Sequence, residues 1–364
     1  MDGSDSDLNN AWNGQTSALF FYCPFAFLAA EILAIGFVRQ APWAAWAVPI
    51  ATAVLMALLD PWSGAARRET TAGASFAARL APWLYVMLRL LVNATVTGSI
   101  AAGTLSPLQA TGLVICAGIG TGSFGMVAAH ELVHAAHPFQ RWLGIAFLVS
   151  VGYPHFAVAH VEGHHRKAAT PHDPATAWLG ESLYQFLIRT IPGQAVDAWQ
   201  IETVRLRRRG HGWFHVSNRV LQGIALELAL FGAVLLRAGI VAMGCLLAIA
   251  VIAVLMLEAF NYVAHYGLQR RATRHGFERL EPRHSWNAAG RFGNWSLFNM
   301  GRHSDHHRRA GAPYEHLIAL EGGSLLPGGY AAAMLLALLP PLWFHFMDRR
   351  ARLACPDRGP AFAP

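Results

Sequence analysis

Six long apolar stretches constrain this chain more than any other feature. They lie at 17–38, 42–60, 80–101, 107–129, 219–236 and 239–262. A membrane-crossing helix needs about 20 apolar residues, and every stretch meets or approaches that length. Composition agrees, since only 13% of the residues are charged, against roughly 25% in ordinary soluble domains. Two further apolar segments read differently. The one at 141–159 carries His155 and runs into His160, which suits a helix lying along the surface. The one around 330–347 is interrupted by Pro340-Pro341, so it is expected to stay interfacial or packed on the core. The expected fold is therefore all-α and integral to a membrane, a single domain over 1–364 with six transmembrane helices. The segments 130–218 and 263–364 form a cap at one face.

Arginine placement gives an orientation. The loops after the first, third and fifth stretches hold only Arg39 and Arg237. The opposite side receives Arg67, Arg68, Arg79, the run Arg205-Leu-Arg-Arg-Arg209 and nearly everything after 265. Positive charge collects on the cytoplasmic side, which puts both termini and the cap in the cytoplasm and the chain in the inner (cytoplasmic) membrane. The first residues, Met-Asp-Gly-Ser-Asp-Ser-Asp, lack the basic region of a cleaved signal peptide. Arg89, inside the third stretch, needs a polar partner or a route to the surface, because an unpaired charge in a bilayer is costly.

The net charge of +7 fits topology and attraction to anionic membrane lipid. A sharper reading concerns 270–309, where nine arginines face only Glu278, Glu281 and Asp305; such a face steers an acidic electron carrier. Nucleic acid is excluded, since no soluble basic domain exists to bind it. Cys23, Cys116, Cys245 and Cys355 are scattered singly, so the chain carries no iron–sulfur or rubredoxin-like module of its own.

Behind the fourth stretch the chemistry becomes specific. No histidine precedes position 130. After it come His130-Glu-Leu-Val-His134, His160-Val-Glu-Gly-His164-His165, His265, and His303-Ser-Asp-His306-His307. Imidazole is the commonest metal ligand near neutral pH and suits iron, zinc and copper. Nine of them are too many for one ion, so the pattern points to a two-metal site at one membrane face. Residues four apart share a helix face, which pairs His130 with His134, His160 with His164 and His303 with His307. The doublets His164-His165 and His306-His307 put adjacent rings about 100° apart, so one helix can serve two ions. Glu258, seven residues before His265, is expected to orient an imidazole, and Glu131, Glu162 and Asp305 stand near enough to contribute. His155 and His284 are the best placed of the remaining histidines.

His130-Glu131-x-x-His134 alone is also the zinc-peptidase motif, with Glu131 as base. That reading fails against the other seven histidines, because a zinc peptidase needs only one more ligand.

Beyond the histidines the chain carries Gly163-His-His-Arg166, Thr170-Pro-His-Asp-Pro174, Asn261-Tyr262 with His265-Tyr-Gly-Leu268, His284-Ser-Trp-Asn287, Arg302-His-Ser-Asp-His-His307 and Leu338-Leu-Pro-Pro-Leu-Trp-Phe344. In this order they resemble the integral-membrane alkane 1-monooxygenases, relatives of the xylene and cymene methyl hydroxylases and of the membrane fatty-acid desaturases. The resemblance covers about 130–350. It implies two irons bound by the nine histidines at the cytoplasmic face, O2 as oxidant, and a hydrophobic hydrocarbon hydroxylated at a terminal methyl to a primary alcohol. It also implies electrons from rubredoxin or a ferredoxin-like donor with its reductase. Two positions depart from the alkane pattern: Ala264 and Ala159 stand where a glutamate usually precedes the histidine. The aromatic-methyl branch tolerates both. Hydroxylation of an alkane or alkyl chain, hydroxylation of an aromatic side-chain methyl, and lipid desaturation remain open at this point.

Overall fold

The computed structural model describes residues 17–65 and 76–356. The first seven residues, Arg67 and Arg68, and the chain terminus at 364 lie outside the described residues.

Within them the chain is helical, with only four two-residue strands. In order the helices are α1 (Cys23–Phe37), α2 (Ala44–Trp62), α3 (Phe76–Ala101), α4 (Pro107–His134), α5 (Pro138–Ser150), α6 (the helical turns at 156–167), α7 (Leu183–Arg207), α8 (Arg219–His265), α9 (Arg291–Ser296), α10 (His303–Arg308), α11 (Gly329–Ala337) and α12 (Pro340–Ala354). Local chemistry sets several starts. Ser106 and Gln109 form a capping box ahead of α4, Ser182 and Gln185 do the same for α7, and the Asn218 side chain accepts the first free N–H groups of α8.

Five of the described helices are long and apolar enough to cross a membrane: α1 with the turn before it, α2, α3, α4 and α8. The stretches 219–236 and 239–262 share one helix, α8, of 47 residues. A straight helix of that length would span about 70 Å at 1.5 Å per residue. Its ends nevertheless meet the same layer: Arg219 pairs with Glu162, between His160 and His164, while His265 lies against His303. The break is at Gly239, whose φ of 81° and ψ of 179° are accessible only to a residue without Cβ. The halves 219–238 and 240–265 therefore run in opposite senses.

The segment at 141–159 gives the 13-residue α5, too short to cross. It packs on the end of α4 at Gly144, where a Cβ would stand 2.9 Å from the Ala129 carbonyl. The segment around 330–347 divides into α11 and α12, with Pro340 and Pro341 starting the latter. The end of α2 is pinned to the cap by Asp60, whose Oδ1 accepts the Gly293 N–H at 2.7 Å. Gly290, Gly293 and Gly329 surround that carboxylate, and any side chain there would collide with it.

Arg89 is completely buried and finds its partner in Glu31 of α1, with Nη1 donating at 3.0 Å to Oε1 and at 3.3 Å to the Ala117 carbonyl. Gly120 leaves the space for both side chains. Removing one member of a buried pair strands the other charge, whereas replacing both with apolar groups is often neutral. Glu31→Ala is expected to cost about 3–5 kcal/mol, and Glu31→Leu combined with Arg89→Met to recover most of it. Unfolding of the wild type and these two variants in detergent checks the difference.

Candidate metal centre

Four elements deliver the nine histidines: the end of α4, the turns of α6, the last residue of α8, and α10. Their ring nitrogens gather in two groups, each with ligand atoms within 4.8 Å of one another: His130, His134, His160, His165 and His306 in one, His164, His265, His303 and His307 in the other. The second group is fully buried, while His134 and His165 bring the first to a partly exposed rim.

The pairing of His130 with His134 and of His303 with His307 follows the four-residue spacing, and both doublets divide between the groups. His160 departs from the expectation: it joins His165, and its expected partner His164 goes to the other group. The reason lies in the backbone. Residues 159–164 form a π-turn in which the His165 N–H reaches the His160 carbonyl, five residues back. In a regular α-helix His165 would point about 140° away from His160; the wider turn brings it round. A second π-turn, at Thr121–Gly125, lies below His130 in α4. Such turns recur at functional sites.

The electrostatics favour metal ligation. Burial, reinforced by neighbouring imidazoles, pushes His160, His165, His303, His306 and His307 well below the usual histidine range. These rings are neutral and offer a lone pair. The Nε2 atoms of His265, His303 and His307 form a triangle with sides of 3.1, 3.3 and 3.1 Å. In the other group His160 Nε2 lies 2.7 Å from His130 Nε2 and 3.0 Å from His165 Nε2. Three nitrogens in a triangle cannot satisfy one another, since an N–H aimed at one misses the next. A cation with metal–nitrogen distances of about 2 Å accommodates that spacing. The Nε2 atoms of His164 and His306 are also buried without any hydrogen-bond partner. The donor set fits metal ions of the imidazole-preferring kind.

The carboxylates were harder to place from sequence. Among the described residues the hydrogen-bonding acid on a ligating ring is Asp173, which holds His164 Nδ1 at 2.8 Å and accepts from Thr176 Oγ1 at 2.7 Å. Burial alone would raise the Asp173 carboxyl, but His164 and Thr176 hold it below its ordinary value. It sits in the Thr170-Pro-His-Asp-Pro174 block, where no helical spacing connects it to a ligand. Glu258, expected to orient an imidazole, instead accepts from Tyr153, Gln194, Thr190 and Asn261 at 2.8–3.2 Å. Asp305 binds Arg309 and the Ile318 N–H, and Glu131 accepts the Tyr314 N–H at 3.1 Å. Each of these three ties a histidine-bearing helix to its neighbours rather than touching a ring. Glu162 goes to Arg219. His155 and His284 stay outside both groups: His155 packs on Tyr153, and His284 accepts the Glu281 N–H. Ala159 is buried in a small apolar cluster with Val158, Ala198 and Val220, and Ala264 is fully buried.

A cavity of about 450 Å³ adjoins this centre, between α2, α4, α8 and α11, and His130, His160 and His303 form part of its wall. The rest is chiefly apolar, with Met56, Phe124, Val127, Met256 and Phe260 among its lining. Most of its polar side chains donate to other partners, while Ser123 Oγ lies 3.9 Å from Met256 Sδ, itself part of the wall. Thr52, Tyr184 and Tyr330 donate to the carbonyls of Val48, Leu338 and Trp286, and Asn261 donates to Glu258. From His130 down to Ile119 the wall follows α4 for eleven residues, about 16 Å at the helical rise. This shape takes an elongated apolar molecule with one end at the imidazoles.

Comparison with known proteins agrees with this arrangement. The fatty acid desaturase family matches residues 105–322. Alkane 1-monooxygenase 1 of Pseudomonas aeruginosa is 38% identical over 74% of this chain and 72% of its own length. Alkane 1-monooxygenase of Acinetobacter baylyi is 39% identical over 65% of the chain. The xylene/toluene monooxygenase hydroxylase component of Pseudomonas putida is 32% identical over 67% of the chain. The chain spans 59% and 64% of the lengths of these last two.

An acid that polarises a ligating imidazole typically contributes 10–100-fold to metal affinity. Asp173→Asn is therefore expected to lower affinity by about that factor, with the metal of the His164 group lost first. Chelator competition with metal counted per chain reads both effects.

Proposed function

Because the chain belongs to the alkane 1-monooxygenase family, within the wider fatty acid desaturase family, we propose that it is a membrane monooxygenase converting the terminal methyl of an alkane or alkyl chain to a primary alcohol. The observation that carries this reading is the apolar cavity ending on His130, His160 and His303. A substrate held there presents its end to the metal centre and meets a chiefly apolar wall.

The nine histidines of the two groups would hold two irons. Bound there, the irons supply activation of O2 and oxidation of a C–H bond, chemistry that no side chain performs. The protein supplies position and dryness. Burial keeps most of the imidazoles neutral, Asp173 fixes the His164 ring through Nδ1, and Phe124, Phe156 and Phe260 close the wall beside the ligands. Carboxylates at one remove, Glu131 and Asp305, hold α4 and α10 in register with the loop at 309–318.

The two halves of α8 count as separate crossings, giving six spans in a single membrane domain, with the cap at 130–218 and 263–364 on the cytoplasmic side of the inner membrane. Arginine distribution supports that orientation. The chain lacks an electron-carrying module, so its electrons come from rubredoxin or a ferredoxin-like protein with its reductase. Arg166 and Arg308 stand exposed next to ligands His165 and His307, beside the partly open rim of the first group, and favour an acidic donor.

Ala159 and Ala264 favour a second reading, in which the methyl group belongs to an aromatic side chain, as the similarity to the xylene/toluene component also suggests. A competition assay separates the two. The full-length protein in membranes, loaded with ferrous iron and given rubredoxin, its reductase and O2, is offered n-octane and p-xylene together. Mostly 1-octanol is expected; mostly 4-methylbenzyl alcohol would move the substrate class, and an alkene would mean desaturation. Iron removal by chelator is expected to abolish either alcohol, and ferrous iron to restore it.

A further inference from the structure

The division of His164 and His165 between the two groups depends on the π-turn at 159–164, and a π-turn in a short helix is not self-sustaining. The π-helix is rare and occurs mostly as single turns inside α-helices. Something outside α6 must prefer this register. The packing identifies α7. Gly163 lies so close to it that a Cβ would stand 2.5 Å from Asp197 Oδ2 and 3.0 Å from the Ile201 side chain. Asp197 forms an ion pair with Lys167, the only lysine in the chain and two residues past His165. On the other flank Glu162 pairs with Arg219, which is itself fixed by Glu202: the Arg219 backbone N–H and Nε each donate to that carboxylate at 2.8 Å. Arg205 donates to Glu202 as well, at 2.8 Å. Glu202 is completely buried, and the Arg205 and Arg219 guanidinium groups hold its carboxyl down to about 2 despite that burial. Between the two flanks, Val158 and Ala159 pack on Ala198 and Val220.

We propose that α7 is a template for the metal centre: Asp197, gripping Lys167, and Glu202, acting through Arg219 on Glu162, select the π register of α6 and so assign His165 to one metal and His164 to the other. The two contacts bracket the turn on either side, with Gly163 as the point of closest approach. In the α register His160 and His164 would share a face and His165 would swing outward, so the first group would exchange His165 for His164 and the second would be left with three ligands. Asp197 and Glu202 are positioning residues; they touch no ligating ring.

The proposal rests on the reading of the nine imidazoles as metal ligands, and its test separates the two. Iron retention is measured by chelator competition on the full-length protein in detergent, for the wild type, Asp197→Ala, Gly163→Ala and the exchanged pair Lys167→Asp with Asp197→Lys. Melting of each metal-free protein is followed alongside. Asp197→Ala and Gly163→Ala are expected to release iron about tenfold more readily or worse, the range typical for lost outer-sphere support. The exchanged pair is expected to return to within about threefold of the wild type, because it restores the ion pair with reversed polarity. The metal-free melting temperatures should stay close to one another. A wild type that holds no metal overturns the ligand reading and the proposal with it. A wild type that holds two irons, matched by Asp197→Ala, overturns the proposal alone. So does an exchanged pair that recovers melting temperature without recovering retention, since the contact would then serve stability only.

Discussion

Nine imidazoles converge on two points, their ring nitrogens crowded within 4.8 Å of one another in each group, and the rest of the structure depends on that convergence. A buried polar atom left unsatisfied costs about 1–3 kcal/mol; the Nε2 atoms of His164 and His306 are in that position, and the Nε2 atoms of His265, His303 and His307 crowd into a triangle that cannot satisfy all three. Only a cation relieves them as a set. Metal binding would therefore be linked to folding of this layer: an ion in the first group would join α4, α6 and α10, and one in the second would join α6, α8 and α10. The backbones of the ligand-bearing helices are also held from outside. Tyr314 grips Glu131, Asp305 takes the Ile318 N–H, and Asp60 fastens α2 beneath the same cap.

The spanning helices serve this layer in a particular way. Two charged groups inside them are partnered, Arg89 on Glu31 and Glu258 among four donors. Small residues allow close approach where it matters. Gly118 and Gly122 of α4 lie against Ile252 and Met256 of α8, the close packing that stabilises helix pairs in lipid. The same α4–α8 contact forms part of the cavity wall, so packing and substrate space are shaped by one set of residues.

Much of this was legible in the sequence. Hydropathy located the apolar helices within a few residues, and the Pro340-Pro341 break marked where α12 begins. Histidine spacing foretold two groups and the splitting of both doublets. What escaped was whatever depends on the turn rather than the spacing. A five-residue turn at 159–164 leaves no signature that a four-residue periodicity can register, so His160 was matched with the wrong partner. Glu258 shares a helix with His265, but tertiary neighbours Tyr153, Thr190 and Gln194 claimed it first. Asp173 lies in a loop, and only the folded chain brings it to His164. Sequence alone joined 219–236 and 239–262 by a short loop, whereas a single glycine with positive φ turns the helix back.

The chiefly apolar wall of the cavity bears on the end of the proposed reaction. Moving a hydrocarbon from lipid into an equally apolar chamber gains little hydrophobic free energy, because the tails it leaves are as apolar as the walls it meets. An alcohol is different. Its new hydroxyl would meet a chiefly apolar wall, and an unpaired hydroxyl in apolar surroundings is unfavourable by about 1–3 kcal/mol. At the membrane surface that penalty vanishes. The same dryness that admits the substrate indifferently thus favours expulsion of the product, and turnover acquires a direction from the solvation of one oxygen atom.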